Sequence, residues 1–233
     1  MSKVLIVHTN ISSYPNQKDA TGMWLGETAE FVDEMEKAKI QVDYVSPKGG
    51  FVPIDPRSMK FVDDSIMRIY KNEDFIERAL KNTMHPNDVN PEEYSAIYYS
   101  GGHGTMWDFP DDKVLQKIAY SIYQNNGYLL SVCHGVAGLF NIQDEHGQYV
   151  ISSKKITGFT AAEELLAGKR WSVPFLNQKV AESRGATFVK KRFYKDHAIK
   201  DGRIITGQNP FSARSVAKKL LEEYEKNADD IRK

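Results

Sequence analysis

Short apolar runs alternate along this chain with longer stretches of helical spacing. VLIV (4–7) holds no polar residue and gives way to His-Thr-Asn-Ile-Ser-Ser, a loop composition. TGMWLGETAEFVDEMEKAKI (21–40) repeats its apolar positions at helical intervals, and QVDYVS (41–46) reads as a strand closed by Pro-Lys-Gly-Gly. AIYYS (96–100) is a further apolar run and ends in Gly-Gly-His-Gly. VLQKIAYSIYQNNG (114–127) has helical spacing and a glycine stop. YLLSVC (128–133) reads as a strand, and VAGLF (136–140) is expected to start a helix behind it. KKITGFT (154–160) and GRIITGQN (202–209) read as later strands. SARSVAKKLLEEYEKNADDIRK (212–233) reads as a long final helix with a charged outer face.

Continuous rather than alternating apolar strands, separated by helices, predict βαβ units and a mostly parallel sheet covered on both faces. The expected class is α/β, in one domain spanning 1–233. Ligands of such sheets bind beyond the carboxyl ends of the strands. The loops after VLIV, AIYYS and YLLSVC all lie there. Residues 49–93 exceed a minimal core: they carry Phe51, Pro53, Pro56, Pro86 and Pro91 with one helical stretch, EDFIERAL. Residues 141–195 hold similar additions, at 141–153 and 163–195. Both segments read as decoration or as a cap over the strand ends.

Charge narrows the partners. Thirty-one basic residues balance thirty-one acidic ones over 233 positions. No field of one sign is present to recruit nucleic acid or an anionic membrane. The opening MSKVLIVHTN has an apolar run too short for a secretory signal, and no run approaches the ~18 residues of a membrane span. A single cysteine forms no internal disulfide. The expected compartment is the reducing cytoplasm.

That cysteine, Cys133, sits in SVCHGVAGL (131–139), where a strand runs into the next element through Cys-His-Gly with almost no loop. A nucleophile at such a turn is thrust out at the top of a sheet on a tight backbone. Gly135 would let the next helix start close to the strand, its positive end near the sulfur, and would leave the His134 N–H free for an oxyanion. Free cysteines are also among the most buried residues, and the pattern alone leaves both roles open.

Three further features bear on chemistry. In SGGHGTMWDFP (100–110), Gly101, Gly102 and Gly104 allow backbone amides to approach a ligand, and the His103 side chain suits a supporting role. Glu27 lies at helical spacing from Met23, Trp24 and Phe31; a carboxylate on that apolar face needs a partner or a raised pKa, unless the helix rolls it toward water. Glu163 and Glu164 follow KKITGFT, and either could orient His134 or serve as a first-turn acid. The six histidines form no HExxH or paired set, so no metal site and no cofactor are expected.

Taken together, TGMWLGE, AIYYSGGHGTMWDFP, SVCHGVAGL, KKITGFTAAEE and DGRIITGQNPFSA resemble the ThiJ/PfpI superfamily over nearly the whole chain. The nearest group within it holds the glutathione-independent glyoxalases (glyoxalase III) and the HchA-like chaperones. The resemblance implies a flavodoxin-like, class I glutamine amidotransferase-like sandwich. It implies Cys133 as nucleophile, His134 as its base, Glu27 as a buried acid hydrogen-bonded to the sulfur, and Glu164 as third member of a triad. Gly102 and His134 would supply oxyanion amides, with His103 beside them. Val136 stands where some relatives have proline, and Ala161-Ala162-Glu163 departs in detail, which keeps Glu163 in reserve. The implied activity converts methylglyoxal or glyoxal through a cysteine hemithioacetal, with deglycase and stress-chaperone activities toward unfolded clients, in a homodimer. The alternatives are a PfpI-type peptidase or amidase, a holdase, or a redox sensor oxidised at Cys133. The late His-x-Glu pair of glutamine amidotransfer is missing: His197 is followed by Ala198 and Ile199.

Overall fold

The computed structural model describes residues 3–15 and 18–231. Its centre is a six-stranded sheet in the order β2-β1-β3-β4-β8-β7. The strands are β1 (Lys3–Val7), β2 (Val42–Val45), β3 (Tyr94–Tyr99), β4 (Tyr128–Val132), β7 (Ala198–Asp201) and β8 (Ile204–Gly207). All neighbours pair in parallel except β7, which closes the edge antiparallel to β8. Between β4 and β7, β5 (Lys155–Ile156) and β6 (Thr187–Phe188) form a separate two-stranded sheet. KKITGFT therefore contributes only a short strand outside the main sheet. The remainder of that stretch runs past the turn after β4, with the Phe159 N–H donating to Cys133 O at 3.1 Å.

The apolar strands are continuous because both faces of the sheet are buried. Val4 and Ile6 pack on one side with α1 (Leu25–Lys37) and α8 (Ala213–Ile231), through Phe31, Met35, Val216 and Leu220. Leu5 and Val7 point the other way, toward α5 (Lys113–Gln124) through Leu115, Ile118 and Ile122. Successive strand side chains alternate between these two cores, and burying each large one contributes about 1.5–3 kcal/mol. The ring of Tyr98 on β3 stacks on Phe31 of α1 with centroids 3.9 Å apart, which seats the helix that carries Glu27.

The smaller helices lie in the additions to this core. α2 (Asp64–Tyr70) and α3 (Glu73–Phe75), the latter running on into a π-helical turn (Ile76–Lys81), belong to 49–93. α6 (Ala161–Leu166) and α7 (Asn177–Ser183) belong to 141–195, and the one-turn α4 (Thr105–Asp108) follows the Gly-Gly-His-Gly loop. No described helix is long and apolar enough to cross a membrane.

Candidate active site

The elbow is strained. Cys133 has φ +56°, a left-handed conformation in which a non-glycine residue is held at a cost of about 1–3 kcal/mol. The expected helix behind it is a tight 3-10 segment, Cys133–Leu139. Close packing under the elbow accounts for that: a Cβ on Gly135 would lie 2.2 Å from Tyr99 O, and one on Gly138 2.3 Å from the Tyr99 ring. The short segment gives the sulfur little macrodipole. A single contact replaces it, the His134 backbone N–H hydrogen-bonded to the thiol.

Cys133 is 3% exposed. Its Sγ lies 3.3 Å from His134 Nδ1, and His134 Nε2 lies 2.8 Å from Glu164 Oε2. Burial would raise the Glu164 carboxyl, but its two histidine partners hold it well below the usual carboxylate range. The sequence left Glu163 and Glu164 undecided, and a capping box separates them. Thr160 caps α6, accepting from the Glu163 N–H, while the Glu163 side chain folds back onto Thr160. Glu163 Oε1 also accepts from the Tyr194 N–H and from Gln208 and Asn209. The next carboxylate round the helix is left to face His134.

Glu27 does not roll toward water. It is fully buried in the first turn of α1, and Oε2 accepts the Gly101 N–H at 2.7 Å. Its Oε1 is buried with no partner of ordinary hydrogen-bond geometry among the described residues. Burial pushes the Glu27 carboxyl well up, opposed by its hydrogen bonds to Cys133 and to the Gly101 N–H. Burial likewise pushes the Cys133 thiol up, and the facing Glu27 adds to this. Both shifts favour the protonated form of each group.

The glycine loop fits between these groups. Gly102 has φ +112°, and a Cβ there would lie 2.1 Å from Gly22 O. The Gly102 N–H finds no acceptor among the described residues. A Cβ on Gly101 would lie 2.3 Å from Glu27 Oε2 and 2.8 Å from Val132 O, a wedge between carboxyl and elbow. Gly101→Ala should destabilise the fold by about 1–3 kcal/mol through overpacking and slow Cys133 chemistry more than this loss of stability explains. Thermal melts set beside turnover rates check both.

The His103 ring lies 4.0 Å from that of His134, tilted by 38°, and its own ring nitrogens are both engaged. Nε2 meets Glu164 Oε1 at 2.8 Å and Nδ1 meets Arg57 Nη2 at 3.1 Å. Arg57 was not legible as a site residue. Asp55-Pro56-Arg57 reads locally as a charged turn, and no periodicity marks it as inward-facing. In the fold the Met23 N–H donates to Pro53 O and the Asp55 N–H to Met23 O, which lays this segment against the start of α1. Cys133, His134, Glu164, Glu27, Gly102 and His103 thus meet in one buried cluster, while Glu163 turns away into structural hydrogen bonds.

A model of the DJ-1/PfpI family matches residues 20–223. Glyoxalase 3 of Candida albicans is 33% identical over 97% of this chain and 100% of its own length. A glutathione-independent glyoxalase of Saccharomyces cerevisiae is 33% identical over 94% of this chain and 97% of its own. The crystal structure of glyoxalase III from Candida albicans superposes with a TM-score of 0.85 at 31% identity, covering 95% of this chain and 96% of that one. A family model spanning most of the chain, full-length relatives and a shared overall fold together establish that the chain belongs to the DJ-1/PfpI family.

Proposed function

We propose that the protein is a glutathione-independent glyoxalase that converts methylglyoxal to lactate at Cys133. The observation that carries this is the Cys133–His134–Glu164 chain at a strained, nearly closed elbow. Similarity to glyoxalases over almost the entire length supports the substrate class. Because Cys133 is 3% exposed, small dicarbonyls fit better than peptides.

The thiol needs no prior ionisation. His134 Nδ1 takes its proton as sulfur bonds to the aldehyde carbon, with Glu164 stabilising the imidazolium that forms. The carbonyl oxygen becomes an oxyanion within reach of the His134 and Gly102 amides and accepts a proton from the Glu27 carboxyl, giving the hemithioacetal. The Glu27 carboxylate left behind is buried and therefore strongly basic. It removes the hydrogen from that carbon, the former ketone oxygen is protonated by His134, and an enediol results. Returning the proton from Glu27 to the neighbouring carbon, with loss of the hydroxyl proton to His134, leaves a lactoyl thioester. Water cleaves the thioester and restores the thiol. The chemistry is an internal redox rearrangement: one carbon is oxidised as its neighbour is reduced.

Incubating the purified protein with methylglyoxal in the absence of glutathione should yield lactate, read by proton NMR. In heavy water the incoming C–H would carry at most partial deuterium if one enclosed carboxyl shuttles it. No lactate from the folded protein would refute the assignment.

A further inference from the structure

The ligating atoms of His103, His134 and Glu164 all lie within 4.8 Å of one another, a spacing that suits a metal ion. Hydrogen-bond directions argue otherwise. A histidine that binds metal through Nε2 carries its proton on Nδ1 and donates it to an acceptor. Here Nδ1 of His103 faces Arg57, and a guanidinium only donates. The proton on neutral His103 therefore sits on Nε2, aimed at Glu164 Oε1. Glu164 then receives an N–H on each oxygen, from His103 and from His134. Only in this arrangement is His134 left with a free lone pair on Nδ1, toward the sulfur.

We propose, building on the Cys133 chemistry above, that Arg57 is a remote positioning residue: by donating to His103 Nδ1 it fixes His103 as the neutral Nε2–H tautomer, which holds Glu164 as a carboxylate aimed at His134. Arg57 is itself clamped. Its Nε donates to Asp55 Oδ1 at 2.9 Å, and the two hydrogens of its Nη2 are shared among three acceptors, Asp55 Oδ2 at 2.5 Å, Tyr14 Oη at 2.8 Å and His103 Nδ1 at 3.1 Å. Asp55 is fully buried and also accepts from the Thr21 hydroxyl at 3.2 Å. Lysine could not hold this geometry, since only the planar fork serves the carboxylate and the imidazole together.

The groups facing His103 alternate in charge along the line. Asp55 neutralises Arg57, His103 is neutral, Glu164 is negative, and His134 cycles between neutral and positive. Tyr14, whose ring lies 5.7 Å from the His103 ring, completes the surroundings. Burial, the neighbouring His134 and Arg57 hold His103 down to about 4 against the pull of Glu164. Without Arg57, Nδ1 is free to take a proton. The resulting imidazolium would compete with His134 for Glu164 and weaken His134 as a base.

The test reads the tautomer directly. In wild-type protein labelled with nitrogen-15 at histidine, two-bond proton–nitrogen spectra from about pH 5 to 8 should show His103 neutral with its proton on Nε2. A proton on Nδ1, or a protonated ring in that range, overturns the proposal. This readout does not depend on turnover, so it stands or falls apart from the glyoxalase assignment. In kinetics, Arg57→Gln should lower kcat about tenfold or more near pH 6, change KM little, and add an acid-limb ionisation missing from wild type. Glutamine at 103 donates to Glu164 and accepts from Arg57 without titrating. The added ionisation should therefore vanish in Arg57→Gln/His103→Gln, and His103→Gln should keep at least about tenfold more kcat than His103→Leu. An unchanged pH profile in Arg57→Gln overturns the proposal. If that variant fails to fold, the wild-type spectra decide.

Discussion

Cys133→Ala should lower glutathione-independent methylglyoxal turnover by at least about 10³-fold, or about 4 kcal/mol of transition-state stabilisation, while leaving the fold in place. The loss is large because every later species in the pathway is bonded to this sulfur, and neither His134 nor Glu164 can substitute for it. The fold should survive because alanine keeps the buried Cβ and the backbone of the elbow. Its left-handed φ remains, so the strain remains. Cys133→Gly makes the complementary case. Glycine adopts φ +56° without penalty, and this variant should match or exceed the wild type in thermal stability while being as inactive as Cys133→Ala. A stable, inactive Gly variant would mean that the strain serves to present a reactive side chain. Wild-type turnover in either variant would remove Cys133 from the chemistry.

Glu27→Gln should lower kcat by about 10²–10⁴-fold, the range for a lost general acid–base group. Thiol addition to the aldehyde should still occur. The variant is therefore expected to accumulate the adduct on Cys133, visible by intact mass, where the wild type turns it over. Stability should respond to pH in a defined direction. The Glu27 carboxyl has a folded pKa raised by burial above its unfolded value. Its contribution to stability is complete below the unfolded pKa of about 4.3 and is lost as pH rises through the folded value, where an uncompensated buried charge forms. Glutamine mimics the neutral acid and does not titrate. The stability of Glu27→Gln relative to wild type should thus grow as pH rises from mildly acidic to mildly basic, and denaturant midpoints across that range measure it. A difference that stays flat with pH would mean that Glu27 already carries its charge when folded.

The two variants also separate the roles of the buried pair. Glu27 pushes the Cys133 thiol up, whereas the hydrogen bond to Cys133 holds the Glu27 carboxyl down, so Glu27→Gln should relieve the thiol while Cys133→Ala should let the carboxyl rise further. The Gly101 N–H on Glu27 Oε2 leaves Oε1 as the oxygen without an ordinary partner, which suits the proton exchange with carbon proposed for it. No such opening exists at Glu163, where both oxygens are taken up by the capping box and its neighbours.

Much of this was present in the order of residues. Uninterrupted apolar strands between helical stretches required a parallel sheet buried on both faces. Cys-His-Gly without a loop required a sharp turn at the carboxyl end of β4, and the helical spacing around Glu27 placed a carboxylate among apolar neighbours. These are local consequences of strand and helix periods, and they need no knowledge of distant contacts. Three matters waited for the tertiary structure. The segment behind Cys133 is a 3-10 turn because Gly135 and Gly138 must pass over Tyr99, a strand away. Glu164 rather than Glu163 meets His134 because Thr160 and the residues around Tyr194, Gln208 and Asn209 claim Glu163 first. Arg57 reaches the site because Pro53 and Asp55 bond to Met23 at the start of α1. In each case the choice is made by side chains and backbone groups far apart in sequence competing for the same buried partners. Periodicity carries no trace of that competition, and only the folded chain resolves it.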